Sequence, residues 1–350
     1  MENIFEGKDI LVTGGCGSIG SEIVRQLLKF NPKKIRVFDN DENGHWQLNQ
    51  QLKSDKIRNL IGDVRDRERL ERAINGVNIV FHAAALKHVD LCEYNPDEAV
   101  YTNVIGTKNL VEAAAEEKDL EKFIGISTDK AVNPINTMGA TKLLSEKLII
   151  NAPHKVSKAL FSVVRFGNVL NSSGSVIPIF KRQIAEGDRI TITLKDMVRY
   201  FITIGDAVNL IFKAAKIMKD YKNDIKKGNK EAIKNNEIFI LKMKAIKIND
   251  LAEVMIGELA PKYGKNPKKI KIEEIGPRKG EKISEALMTN EEAEYVREED
   301  NLFIINTSIW GGRKAVSNAK KLDSSEYNAS EAKLLSKKEI KELLYKDKIL

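Results

Sequence analysis

The sequence predicts an α/β fold: a doubly wound parallel sheet carrying a smaller C-terminal domain. Three observations lead there. Apolar, β-branched runs alternate with helical patterns through the first half of the chain, a glycine-rich turn joins the first run to the first helix, and 350 residues exceed what one small core needs. The strands are expected at Ile10–Val12, Ile35–Phe38, Ile57–Ile61, Ile79–Ala84, Phe123–Ser127 and Leu160–Phe166. The helices are expected near Ser18–Phe30, Arg65–Ile74, Pro96–Lys118 and Met138–Ile149. Such a sheet binds ligands outside the carboxyl ends of its strands.

The second half is less regular. Lys219–Asn236 carries six lysines and three acids, and reads as an exposed excursion before a strand at Glu237–Leu241. Ser336-Lys-Lys-Glu339 is a capping box opening a short helix through Leu344.

Composition narrows the function classes. At 42% hydrophobic and 31% charged residues, the chain falls with ordinary soluble globular proteins and not with disordered ones. The net charge of +8 comes from scattered lysines that are not interleaved with aromatics, so anionic small ligands are expected and nucleic acid is not. The two cysteines, Cys16 and Cys92, form neither a metal pattern nor a disulfide framework, which points to no metal and to a reducing cytoplasm. No apolar run is long enough for a bilayer, and a first strand beginning by about Asp9 leaves no room for a leader.

Thr13-Gly-Gly-Cys-Gly-Ser-Ile-Gly20 follows the first strand and opens a helix. Gly14 serves the tight turn, Gly17 the close approach of a pyrophosphate, and Gly20 the packing of helix on strand. The pyrophosphate then sits at the helix N-terminus. Asp39, ending the second strand, is placed to accept both ribose hydroxyls of NAD and to repel a 2′-phosphate, so NAD is preferred and NADP stays open. Arg36 argues the other way only weakly, because it lies within the strand. Asp63, in Gly-Asp-Val-Arg-Asp, suits the adenine amino group, and His82-Ala-Ala-Ala85 offers small residues to a flat cofactor. His82 itself reads as a packed histidine and Cys16 as a small filler.

Strand five ends in Ser127-Thr-Asp-Lys130, and Met138-Gly-Ala-Thr-Lys142 follows. This resembles the short-chain dehydrogenases, in which a Ser/Thr here and a Tyr-x-x-x-Lys on the next helix surround the nicotinamide. Lys142 stands at the Lys position, but Met138 replaces the Tyr, and a thioether takes no proton. Asp129 and Lys130 together offer an acid and an amine at one site, which can perform an elimination.

His82-Ala-Ala-Ala-Leu-Lys-His-Val-Asp90, Ser127-Thr-Asp-Lys-Ala-Val-Asn-Pro134, Val164-Arg-Phe-Gly-Asn168, Gly174-Ser-Val-Ile-Pro178 and Met197-Val-Arg-Tyr-Phe201 occur in that order. They resemble the UDP-N-acetylglucosamine 4,6-dehydratase family, of the short type without N-terminal membrane helices, from about Ile10 to Met288. Many members have Met in place of the Tyr.

The resemblance implies an extended short-chain dehydrogenase of Rossmann type. Residues 1–166 and 200–242 would form the dinucleotide-binding domain, and 167–199 and 243–350 the UDP-sugar domain. It implies tightly bound NAD or NADP along Gly14, Gly17, Ser18, Ile19, Gly20, Asp39, Asp63, Val64, Ala83, Ala84, Lys87, Asn103 and Lys142. UDP-N-acetylglucosamine would lie against Lys87, Asn168, Val176, Lys181, Arg199, Arg278 and Glu281. In the implied cycle a hydride leaves C4, Lys130 removes the C5 proton, Asp129 protonates the departing C6 hydroxyl, and the hydride returns to C6. Thr128 is placed to relay the C4 hydroxyl proton to Asp129. Inversion at C5 and a homo-oligomer, a hexamer in similar short members, are further expectations.

Two departures bear on the loops, since Lys279 stands where the family has Pro and Asn171 where Gly is usual. A UDP-hexose 4-epimerase and a nucleotide-sensing regulator on a dehydrogenase scaffold are the competing readings. The first lacks a proton donor at Met138, and the second leaves Asp129 and Lys130 unexplained.

Overall fold

The computed structural model describes residues 3–152, 159–226, 236–299, 301–306 and 322–350. Its strands are β1 Asp9–Thr13, β2 Lys34–Asp39, β3 Ile57–Ile61, β4 Ile79–His82, β5 Lys122–Thr128, β6 Leu160–Phe166, β7 Asn168–Val169, β8 Arg189–Ile192, β9 Val198–Ile202, β10 Asn236–Leu241, β11 Lys244–Lys247, β12 Lys271–Glu274, β13 Val296–Glu299 and β14 Leu302–Asn306. Nine form one sheet in the order β13-β14-β10-β6-β5-β4-β1-β2-β3. From β3 through β10 all pairings are parallel, and β14 and β13 add antiparallel at the far edge. β1 is buried at every residue, as a central parallel strand covered on both faces must be. The order reverses at β1, so the crevice between β1 and β4 is the switch point where such sheets take ligands.

Helices cover both faces with apolar stripes. Ser18–Leu27 buries Gly20, Ile23, Val24 and Leu27, the spacing of one helix face. A second, smaller core gathers Ile177, Phe180 and Ile184 of helix Val176–Glu186, Leu251 and Met255 of Ile248–Leu259, and Ile340 and Leu344 of Lys337–Lys346. It stands with the sheets β11-β9-β7 and β12-β8 at the carboxyl edge of β6.

Several boundaries differ from the sequence reading, each for a local reason. The strand expected at Ile79–Ala84 stops at His82, because Leu86 is drawn away by Asn103. The helix expected at Pro96–Lys118 is interrupted: a π-type stretch, Val100–Ile105, separates Pro96–Ala99 from Gly106–Glu116. Hydroxyls of Thr107 and Ser145 take the Asn103 carbonyl there. Arg65–Ile74 begins at Arg67, since Asp66 caps it by accepting from Arg69 N.

The domain division moves too. β13 and β14, allotted to the sugar-binding part, extend the large sheet, and β9, expected with the large domain from residue 200, lies in the three-stranded sheet. The capping box at Ser336 and Glu339 is present, and its helix runs on to Lys346. The Lys-rich stretch, expected as an excursion from Lys219, is helical through Lys226, and 227–235 lie outside the described residues. Among the described residues no helix is long and apolar enough to cross a membrane.

Candidate active site

The glycine turn shows which glycines the protein needs for itself. Gly14 has φ +65°, and a Cβ there would lie 2.5 Å from Ala84 N. A Cβ on Gly20 would lie 2.1 Å from the Gly14 carbonyl oxygen. Gly17 is different: φ is −70°, and a Cβ would meet only the Gly14 carbonyl, at 3.3 Å. Protein packing therefore leaves open space at Gly17, beside a helix start with no side-chain cap. Uncapped N–H groups facing room for a ligand fit an anionic group such as a pyrophosphate.

Asp39 closes this turn, accepting from Cys16 N at 2.9 Å and Asp41 N at 3.1 Å. Burial, then Asp39 and Asp41, push the Cys16 thiol up to about 12, which leaves it an inert filler. Arg36 is committed to the carbonyls of Ala73 and Asn75 and to Asp9, so it does not reach toward a 2′-phosphate. Arg65 wraps Asp63 and holds its carboxyl below the usual range. Val64 is buried against Gly106, and Ile19 packs on the core beneath the turn.

The segment after β4 ties two loops together. Asn103, 1% exposed, is bonded to the Leu86 backbone and to Thr141. These bonds shape the segment holding Ala83, Ala84 and Lys87. Lys87 Nζ donates to Ser173 O at 2.7 Å, and Ser173 N donates to Ser18 Oγ at 3.1 Å. The loop 171–175 thus lies across the start of the glycine helix. Asn171 meets its turn with φ +55°, a region asparagine tolerates, which answers the missing glycine.

His82 is packed, as its sequence context suggests. Its ring nitrogens meet Thr13 Oγ1 at 2.7 Å and Thr107 Oγ1 at 2.9 Å, and burial, then Lys142, bring its pKa down to about 3 from 6.5. The folded value lies below the unfolded one, so this stability is complete above pH 6.5 and is lost as pH falls toward 3. Between about pH 7.5 and pH 5 the loss is about 2 kcal/mol. Urea unfolding should show the native protein losing that much more than His82→Gln over the same interval. Equal losses would mean that His82 is protonated in the fold.

Thr128, Asp129 and Lys130 turn off the end of β5. Asp129 is fully buried, and its Oδ1 accepts from Thr128 Oγ1 at 2.9 Å and Lys130 Nζ at 3.0 Å. Lys130 also donates to Asn168 Oδ1 at 3.0 Å, and Glu285 Oε1 lies 3.7 Å from it. Burial pulls the Lys130 ammonium down, but Asp129 and Glu285 outweigh it and leave it above the usual lysine range. Resting Lys130 is therefore a cation. Lys142 stands apart, donating to Ile126 O at 2.7 Å, with burial bringing it to about 8 against the pull of Glu146. Met138, 3% exposed, packs with Cys92, Ala99 and Val89.

Lys130 and Asn168 form the floor of a cleft of about 280 Å³, walled by Lys87, His88, Ser175, Val176, Arg199, Arg278, Glu281 and Glu285. Of the expected substrate residues, Lys181 lies outside this wall, burdened by burial and by Lys262. Arg199 lines the cleft, but its guanidinium is committed to the carbonyls of Val198, Lys282 and Ile283 and sits 3.7 Å from Glu281. It builds the loop rather than offering a free fork. Glu281 accepts from Thr193 at 3.2 Å. The loop closes without the family's proline through Gly276 and Gly280, both at positive φ, and Asn136 Nδ2 holds the Gly280 carbonyl at 2.7 Å.

The sequence reading missed Ser175 and Glu285. Ser175 starts an uncapped helix, and its Oγ is buried without a partner. Its signal was the serine before Val-Ile-Pro. Glu285 has no local signal beyond its place after Lys282. Among the described residues no three His, Cys, Asp or Glu gather to hold a metal.

A glycine turn with room for an anion on a parallel sheet, and an acid–amine pair at the end of β5, are those of an enzyme of the nucleotide-sugar dehydratase and epimerase kind. The polysaccharide biosynthesis protein family matches residues 10–307, and the chain belongs to it. An uncharacterized membrane protein of Methanocaldococcus jannaschii is 52% identical over 98% of this chain and 97% of its own. An inverting UDP-N-acetylglucosamine 4,6-dehydratase of Campylobacter jejuni is 38% identical over 87% and 85%. A UDP-glucose 4-epimerase of Rickettsia rickettsii is 37% identical over 97% and 96%. Among solved structures, Pen from Bacillus thuringiensis superposes with a TM-score of 0.88 at 39% identity, covering 99% of both chains.

Proposed function

We infer that the protein removes water from UDP-N-acetylglucosamine, giving a 4-keto-6-deoxy sugar nucleotide with C5 inverted. One observation carries the reading: Lys130 lines the cleft and is bonded to the buried Asp129, which also accepts from Thr128, with Met138 packed away where a dehydrogenase would place its phenol. NAD, when bound at the glycine turn, supplies a hydride acceptor and donor. Thr128 passes the C4 hydroxyl proton toward Asp129. Lys130 takes the C5 proton, which an adjacent ketone makes acidic. Asp129 protonates the C6 hydroxyl as it leaves. Arg278 and Lys279, with Ser175 at its helix start, offer the diphosphate its donors. The inverting Campylobacter relative supports the stereochemistry, and the Asp39 carboxylate with a committed Arg36 supports NAD over NADP.

Incubation with UDP-N-acetylglucosamine should give a product lighter by one water. The epimerase reading, supported by the Rickettsia relative, gives a product of unchanged mass. The cycle has no net redox change, so purified protein should carry NAD(H), read by chromatography after denaturation. Asp39→Ala should weaken NAD binding by about 1–3 kcal/mol in calorimetry, the loss of a charge-assisted bond. Unchanged affinity would place the ribose elsewhere.

A further inference from the structure

The dehydration reading, on which this inference rests, asks Lys130 for a free electron pair, whereas the resting site holds an ammonium ion. Its Nζ donates to Asp129 and Asn168, and Glu285 Oε1 at 3.7 Å faces it from a third element. Such a cation is no base until a neighbour takes its proton. An amide such as Asn168 accepts none, and Asp129 is assigned to the C6 hydroxyl. Glu285 remains. It is 3% exposed, and its Oε2 is buried without a hydrogen bond, with Lys282 Nζ at 3.7 Å.

The charged groups around it are Asp129, Lys130, Lys282 and Arg199, the last beside Glu281. Burial raises the Glu285 carboxyl and Asp129 raises it further, against the three cations, and the balance lies above the ordinary carboxylate range. A sugar that fills the cleft excludes water, and a dry site favours two neutral groups over an incompletely bonded ion pair.

We propose that Glu285 is a positioning residue that sets the charge of Lys130, taking its proton when the sugar nucleotide fills the cleft and releasing it when the sugar leaves. One N–H bond of the ammonium breaks and an O–H bond forms on Glu285, with no electrons gained or lost. The freed amine pair then takes the C5 hydrogen. Inversion needs the new proton on the opposite face of C5, where solvent supplies it, so Lys130 keeps the proton it took and the one on Glu285 passes to solvent.

Because the transfer is internal, the native rate of C5 exchange should be level with pH around neutrality. In Glu285→Gln the proton must escape to solvent, so the rate should rise about tenfold per pH unit and lie on the order of 100-fold below native near pH 7. KM should stay within about threefold, and C4 oxidation, read as NADH absorbance, should persist. The measurement is deuterium wash-in at C5 of UDP-N-acetylglucosamine in heavy water, across pH, on the holoprotein. A merely structural glutamate would not change the slope.

A Gln variant within about threefold of native, with the same level profile, overturns the proposal. If that variant does not fold, Glu285→Asp decides. The retracted carboxylate should slow exchange by about tenfold at unchanged KM, and a native rate overturns the proposal. A native protein that yields no dehydrated product removes the dehydration reading and this proposal together, which the mass of the product distinguishes from failure of Glu285 alone.

Discussion

Lys130→Met is expected to abolish release of the 4-keto-6-deoxy product while leaving the sugar nucleotide bound. Breaking the C5–H bond needs the amine, and hydride departure from C4 does not. The loss of a general base lowers a rate by about a hundred- to ten-thousand-fold. NADH absorbance should therefore build up under substrate, with no deuterium entering C5. The substitution also frees Asp129 Oδ1 and Asn168 Oδ1 from their shared donor, so Lys130→Arg is a needed companion. It keeps a cation for Asp129 but not a titratable amine, and it should be as inactive as the Met variant. Lys142→Met should behave otherwise: Lys142 is anchored on Ile126 O, and in the proposed role its loss should disturb cofactor binding and the first hydride step together. If Lys130→Met exchanges C5 hydrogen at near the native rate, the roles given to Asp129 and Lys130 fail together.

Arg165→Met is expected to destabilise the fold by about 3–5 kcal/mol, the range for removing one member of a buried ion network. Arg165 is 1% exposed in the middle of the large sheet. Its guanidinium meets both oxygens of Glu146, at 3.1 and 2.7 Å, and both of Glu292, at 2.9 and 3.2 Å, and it donates to Leu287 O at 3.1 Å. Burial works against its charge, but the two glutamates more than offset this and hold it well above the ordinary range. The truncation leaves two buried carboxylates without the guanidinium to which both are hydrogen-bonded. Urea unfolding should show the loss, and adding Glu146→Leu and Glu292→Leu should restore much of it. A single substitution costing under about 1 kcal/mol would mean that water reaches the site.

What the sequence made legible was local. The glycine turn, Asp39, the Asp129–Lys130 step and the final capping box each lie within a few residues, so spacing alone conveys their geometry. The parallel core followed from alternation. The edge strands β13 and β14 did not, because a short apolar run does not say which strand it will pair with. Asn103 looked like a residue of an unbroken helix, since the pattern is indifferent to the wider turn at Val100–Ile105. Glu285 escaped, and Arg199 was expected to face substrate alone, for a related reason. Their partners lie far away in the chain, and only the folded arrangement reveals that Arg199 braces a loop and that Glu285 faces an amine.

The loop 171–175 belongs to two neighbours at once, resting on Ser18 and Lys87 while its end opens the cleft helix at Ser175. Occupants on its two sides therefore share a wall. An occupant that shifted this wall would be felt on its other side, and thermodynamic reciprocity would make the change in affinity the same in either order of arrival.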